Sequence, residues 1–74
     1  MSIILINGKA YECHSFEKKD AILGESVKVI IEGSFKPGRS QDMQIVRHGK
    51  EYKGSLAVWQ NYGKLATVSI FVGE

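Results

Sequence analysis

An all-β domain of about six short antiparallel strands is predicted by three observations on this 74-residue chain. The stretch from Met43 to Val72 reads without a gap as a three-stranded meander. Asn7-Gly8 and His48-Gly49 each sit between apolar runs, where primed hairpin turns need residues that tolerate positive φ. Every other joint between apolar or β-branched runs also carries a turn signal.

Taken in order, Ser2 to Ile6 is an apolar run, and Lys9 to Phe16 returns from Asn7-Gly8, placing Ile4 opposite Tyr11 and Ser2 opposite Cys13. Glu17 to Ser26 lacks alternation, and Ser15 and Gly24 suit the start and stop of one short helical turn with Ala21, Ile22 and Leu23 touching the core; a loop is the alternative. Val27 to Glu32 is β-branched and apolar enough for a central strand. Gly33 to Gln41 is a loop, because Lys36-Pro37-Gly38 cannot continue a strand interior. In the meander, His48-Gly49 sets Ile45 opposite Tyr52. A three-residue Asn61-Tyr62-Gly63 loop then sets Val58 opposite Ala66, Leu56 opposite Val68, Gly54 opposite Ile70 and Tyr52 opposite Val72. These residues share the core face. Gln44, Lys53, Ser55, Ala57, Trp59, Leu65, Ser69 and Phe71 share the other. The most economical architecture is a single domain over residues 1–74, a partly open barrel of SH3-like or OB-like type.

The two hairpins also match each other. Ile4 to Tyr11, Ile-x-x-Asn-Gly-Lys-Ala-Tyr, and Ile45 to Tyr52, Ile-x-x-His-Gly-Lys-Glu-Tyr, share Ile, Gly-Lys and Tyr at the same offsets. Internal duplication explains this, and so does the chemistry that any such hairpin requires.

One cysteine, Cys13, allows no internal disulfide and argues for a reducing compartment. MSIILINGK has neither the basic start nor the apolar length of a signal peptide or a membrane span, and Ser2 excludes myristoylation, so a cytoplasmic protein without a membrane partner is expected. The net charge of +2 is unevenly spread: Lys36 to Lys64 holds six basic residues against two acidic ones, whereas Met1 to Phe35 holds four against five. Clustered positive charge favours an anionic partner.

Catalytic and metal chemistry find little support. Gly33-Ser34-Phe35-Lys36-Pro37-Gly38-Arg39-Ser40 approaches the phosphate-cradling pattern G-x-x-x-x-G-K-S/T, but Arg39 replaces the lysine and no helix has room to follow. Lys36 and Arg39 remain candidate anion contacts. Cys13, His14 and His48 are the soft ligands, too few for structural zinc, and neighbours on a strand point to opposite faces. Cys13 reads as a small buried residue and His14 as exposed. The carboxylates are spread singly, with no acid-base pair. No enzyme activity, cofactor, metal or small-molecule substrate is expected.

Trp59, Leu65 and Phe71, with Lys53 beside them, make an apolar patch with a basic rim if the meander curls into a barrel, which predicts a protein interface. A homo-oligomer or another protein partner is the expectation, since a domain this small only just outweighs chain entropy. The alternative is single-stranded nucleic acid, with Trp59, Tyr62 and Tyr52 stacking and Lys36, Arg39, Arg47, Lys50, Lys53 and Lys64 on phosphates. Ile45, Gly49 and Tyr52 form a hydrophobic-x-x-x-Gly-x-x-Tyr hairpin. This resembles the small β-barrel head-to-tail joining proteins of tailed phages over a minor part of the chain. The resemblance implies a structural component of a phage or other mobile element.

Overall fold

Both Gly-Lys hairpins close as their turn residues dictate. Asn7 and Gly8 have φ of 53° and 86°, and His48 and Gly49 have 52° and 77°, positive at both central positions as a type I′ turn requires. The expected pairings follow: Ile4 with Tyr11, Ser2 with Cys13, and Ile45 with Tyr52. The structure, a computed structural model, describes residues 2–73, the side chain of Ala21 excepted. Its strands are β1 (Ser2–Ile6), β2 (Lys9–Ala21), β3 (Gly24–Glu32), β4 (Asp42–Arg47), β5 (Lys50–Tyr62) and β6 (Leu65–Gly73).

These six strands form an antiparallel barrel in the order β1-β2-β3-β6-β5-β4, and pairing of β1 with β4 closes the ring. The expected partly open barrel is therefore closed. Closure removes the sheet edges that an open barrel exposes. Inside lie Ile4, Ile6, Val27, Val29, Ile31, Met43, Ile45, Ala66, Val68 and Ile70, with Phe35 from the long loop; no polar or charged residue is buried among the described residues.

Two expectations are overturned. No helical turn forms between Glu17 and Ser26: β2 continues to Ala21 and pairs with β3 as far as Gly24. Lys18 and Glu25 on the paired strands form an ion pair at 3.3 Å, and the alternation is hidden because these outer residues are charged on both faces. Ile22 and Leu23 lie at the turn, exposed and away from the core, while the Ala21 side chain expected beside them is outside the described residues.

The β5–β6 register also differs. The turn is the two-residue Gly63-Lys64, not Asn61-Tyr62-Gly63, and Tyr62 pairs with Leu65, Asn61 with Ala66 and Trp59 with Val68. A bulge between Leu56 and Val58 shifts the remaining pairs, so Leu56 faces Ile70 and Ser55 faces Phe71. An extra residue in one strand reverses which face its neighbours occupy. Val58, expected in the core, is accordingly 59% exposed. Trp59 and Asn61 turn to the inner face in its place.

Gly54 explains how the ring closes. Below Ser55, β5 leaves β6 and pairs with β4. A Cβ at Gly54 would lie 2.1 Å from the Phe71 carbonyl oxygen and 3.1 Å from the Val72 Cα. Only glycine lets the two backbones approach this closely at the corner.

The hairpin match extends over the whole barrel. β2 and β5 each have 13 residues, β3 and β6 each have nine, and every counterpart lies 41 positions on: Lys9 and Lys50, Gly24 and Leu65, Glu32 and Gly73. Pairings repeat too, Ile4 with Tyr11 as Ile45 with Tyr52. Ile6 pairs with Ile45 across the β1–β4 seam and Glu32 with Leu65 across β3–β6, each consistent with a two-fold axis through that seam. Ile4, Gly8, Lys9, Tyr11 and Val27 are identical to Ile45, Gly49, Lys50, Tyr52 and Val68. The axis exchanges the two ends of the barrel.

The ends are finished differently. At the upper mouth, beside the Asn7-Gly8 and Gly63-Lys64 turns, the loop from Gly33 to Gln41 crosses between β3 and β4, which stand opposite each other in the ring. It lowers Phe35 into the barrel. Asn61 holds the loop with both ends of its amide: the Phe35 N–H donates to Oδ1 at 2.9 Å, and Nδ2 donates to the Phe35 carbonyl at 3.1 Å. The Gly33 N–H donates to the Lys64 carbonyl at 2.7 Å, and the Leu56 N–H to the Gln41 carbonyl at 2.8 Å.

Two substitutions test this account by thermal or denaturant unfolding. Gly54→Ala forces the β5 corner away from β6 and should cost about 3 kcal/mol, and an unchanged midpoint would contradict the close approach. Asn61→Ala leaves both backbone groups of Phe35 unpaired and should cost about 2 kcal/mol, whereas a loss below a few tenths would show that the loop is held by other contacts.

Candidate functional site

The expected interface residues are divided by the bulge. Leu65 is on the outer face opposite Tyr62, and Phe71 is outer opposite Ser55, six residues further along β6 and so roughly 20 Å away. Lys53 is outer, paired with Gln44. Trp59 is on the inner face at the upper mouth, where its ring meets Phe35 edge-on at 6.2 Å and 67°; it is still 41% exposed. The four do not make one patch.

Phe71 and Lys53 do share a shallow outer groove, lined also by Asn7, Asp42, Gln44 and Ser55. Added methyls at Gly24 and Gly73 would lie 3.1 and 2.9 Å from the Phe71 ring. The ring thus covers bare backbone at the Gly24–Gly73 end of the β3–β6 ladder, a packing role that accounts for an aromatic on the outside.

What the bulge turns to the outer face instead is Val58, opposite Ser69, and Tyr62, opposite Leu65, and with Ile30 on the same face of β3 they form an outer stripe interrupted by Gln60 and Thr67. Leu65 faces Tyr62, and Ile30 joins the stripe through Thr67, which also pairs with Gln60. The Tyr62 hydroxyl donates to the Gln60 Oε1 at 2.6 Å, fixing its ring on this face. Val58 and Ile30 had no place in the expected site. The signal that could have found Val58 is Gly54, since a glycine inside a strand marks a bend or irregular pairing close by.

The expected anion contacts separate to the two ends. Lys36 and Arg39 lie on the crossing loop and Lys64 in the turn tied beneath it, at the upper mouth. Arg47 and Lys50 flank His48-Gly49 at the lower mouth, directly opposite each other. There the Arg47 guanidinium lies 4.4 Å from the centre of the Phe16 ring, and Phe16 packs on Tyr52 at 5.5 Å. The Lys50 Nζ stands 5.4 Å from the Tyr52 ring, mirrored by Lys9 at 5.5 Å from Tyr11 in the other half. Phe16 went unrecognised as a lower plug because the bulge between Cys13 and Ser15 moves it to the inner face.

The soft ligands stay apart. Cys13 is half-buried against the core, and exposed His14 places Nε2 3.4 Å from the Glu32 carboxylate. No group of three metal-ligating side chains forms among the described residues.

Trp59 should report on the upper mouth. Its emission should lie between those of buried and free indole, and Asn61→Ala should shift it to the red as Phe35 loosens; an unchanged spectrum would separate Trp59 from the loop. No protein-family model, characterised protein or solved structure matches this chain.

Proposed function

We propose that this barrel is a non-enzymatic interaction module. Its outer stripe of Val58, Tyr62, Leu65 and Ile30 seats a protein surface, either another protein's or that of a second copy. The observation that carries this reading is a core filled without these side chains. The fully buried residues are all apolar among those described, and neither Val58 nor Tyr62 is one of them, so these exposed side chains serve no packing need inside. Bulges are a recurrent way of re-aiming side chains at working surfaces. Leaving an aliphatic or aromatic side chain in water forgoes roughly 1.5–3 kcal/mol of burial, and a partner recovers it. The resemblance of the Ile45, Gly49 and Tyr52 hairpin to head-to-tail joining proteins supports a structural partner in an assembly.

Single-stranded nucleic acid has less support. Stacking on Trp59 and Tyr62 needs both rings on one face, and they point to opposite sides of β5. The basic residues that would follow a strand's phosphates are at opposite ends of the barrel.

Light scattering or sedimentation across a concentration series tests self-association. The wild-type chain should form a dimer or larger species. Val58→Glu should return it to monomer with less than about 0.5 kcal/mol change in stability, as expected of a surface position. A wild-type chain that remains monomeric at about 1 mM, a concentration at which even weak association registers, would remove the second-copy reading.

A further inference from the structure

We propose that the lower mouth of the barrel binds an oxyanion, a phosphate or carboxylate group, between Arg47 and Lys50. This site is independent of the outer stripe. Arg47 and Lys50 are paired across the hairpin, so both side chains leave the sheet on the same face. Like charges directly opposite each other oppose pairing. Among the described residues neither has a carboxylate within ion-pair distance. Glu51, next in the chain, is on the other face, where it accepts from Gln44 at 2.5 Å and meets Lys53 at 3.3 Å. Glu25 is held by Lys18.

The Arg47 Nε is buried without a hydrogen-bond partner, alone among the described side-chain polar atoms that are buried. A buried, charged donor without an acceptor is costly, and native structures rarely keep one without a reason. Its ring-facing side is taken by Phe16. Nε itself is closed to solvent, so the groups left to meet an anion are the terminal Nη N–H groups, with which a guanidinium holds phosphate or carboxylate through two parallel bonds.

The internal two-fold sharpens the contrast. The position equivalent to Arg47 is Ile6, buried at the upper mouth. At that end, the plugging ring is Phe35, held by the crossing loop and covered by Trp59. At the lower end the plugging ring is Phe16, and its cover is a guanidinium. Among the described residues no loop crosses this mouth, as both its turns have only two residues, Ile22-Leu23 and His48-Gly49. The lower mouth therefore has a guanidinium on its plugging ring with a second cation directly opposite, whereas at the upper mouth the plugging ring is covered by Trp59 and the basic residues, Lys9, Lys36, Arg39 and Lys64, lie on the flanking strand, loop and turn.

The test is a titration of the ¹⁵N-labelled chain with sodium phosphate, and separately with sodium acetate, at constant ionic strength. The Arg47 Nε–H resonance should shift saturably, with a dissociation constant on the order of 1 mM, as for two charge-assisted hydrogen bonds. A response to phosphate alone identifies a phosphate site, and equal responses a general oxyanion site. Lys50→Gln should weaken binding about 10-fold, the loss of one such contact, while Lys28→Gln, on the outer face of β3, should leave it unchanged. Lys50→Glu supplies a carboxylate internally. It should raise the melting temperature at low salt and abolish the phosphate shift. Absence of a saturable Nε–H shift overturns the proposal, as does a shift equal in the wild type and Lys50→Gln, or a phosphate response that persists in Lys50→Glu.

Discussion

Everything in this barrel depends on the contact at Gly54. β5 must pair with β6 along its upper half and with β4 along its lower half, and the transfer requires its backbone to pass against Phe71 and Val72 with no side chain between. Without that approach β4 would not reach β1, the ring would stay open, and the apolar faces of β1 and β4 would meet water. A closed antiparallel ring leaves few edges to aggregate and an interior just wide enough for side chains. That is why so short a chain can bury a core of aliphatic residues.

The ring is made twice from one pattern. Each half is a three-stranded meander, and the halves face each other across the β1–β4 and β3–β6 seams. Two-fold repetition makes the ends of the barrel equivalent in backbone and leaves the side chains to distinguish them. The connection between the halves crosses the upper mouth and carries its own plug, Phe35, fastened by Asn61. The lower mouth is plugged from within β2 by Phe16 and covered by Arg47. Where the halves differ, Ile6 against Arg47 and Phe16 against Ala57, the chemistry of the mouths differs.

Bulges decide which residues reach the surface. One near His14 carries Phe16 inward. Another at Ala57 carries Val58 and Tyr62 outward and takes Trp59 in. The candidate binding surface of this protein is consequently the product of the single-residue irregularity at Ala57, and the plug of the lower mouth that of the one near His14. Leu65 and Phe71 lie on the outer face of β6 as alternation requires, yet only Leu65 meets the apolar residues that the bulge turns out. Lys53 keeps its expected place beside Gln44. Lys36, Arg39 and Lys64 are grouped at one end and Arg47 and Lys50 at the other, an arrangement set by strand order alone.

The chain's own residues determined the all-β class, the two type I′ turns, the pairings they impose, the loop around Pro37 and the repeat in the hairpins, because each is a local matter of φ preference and alternation. Ring closure, the extension of β2 through its charged residues and the faces of Val58 and Trp59 were decided by tertiary structure. Where bulges fall, and how the halves meet, depends on fitting six strands around one interior. No single strand carries that information, since a one-residue slip leaves its composition untouched while reversing every side chain beyond it.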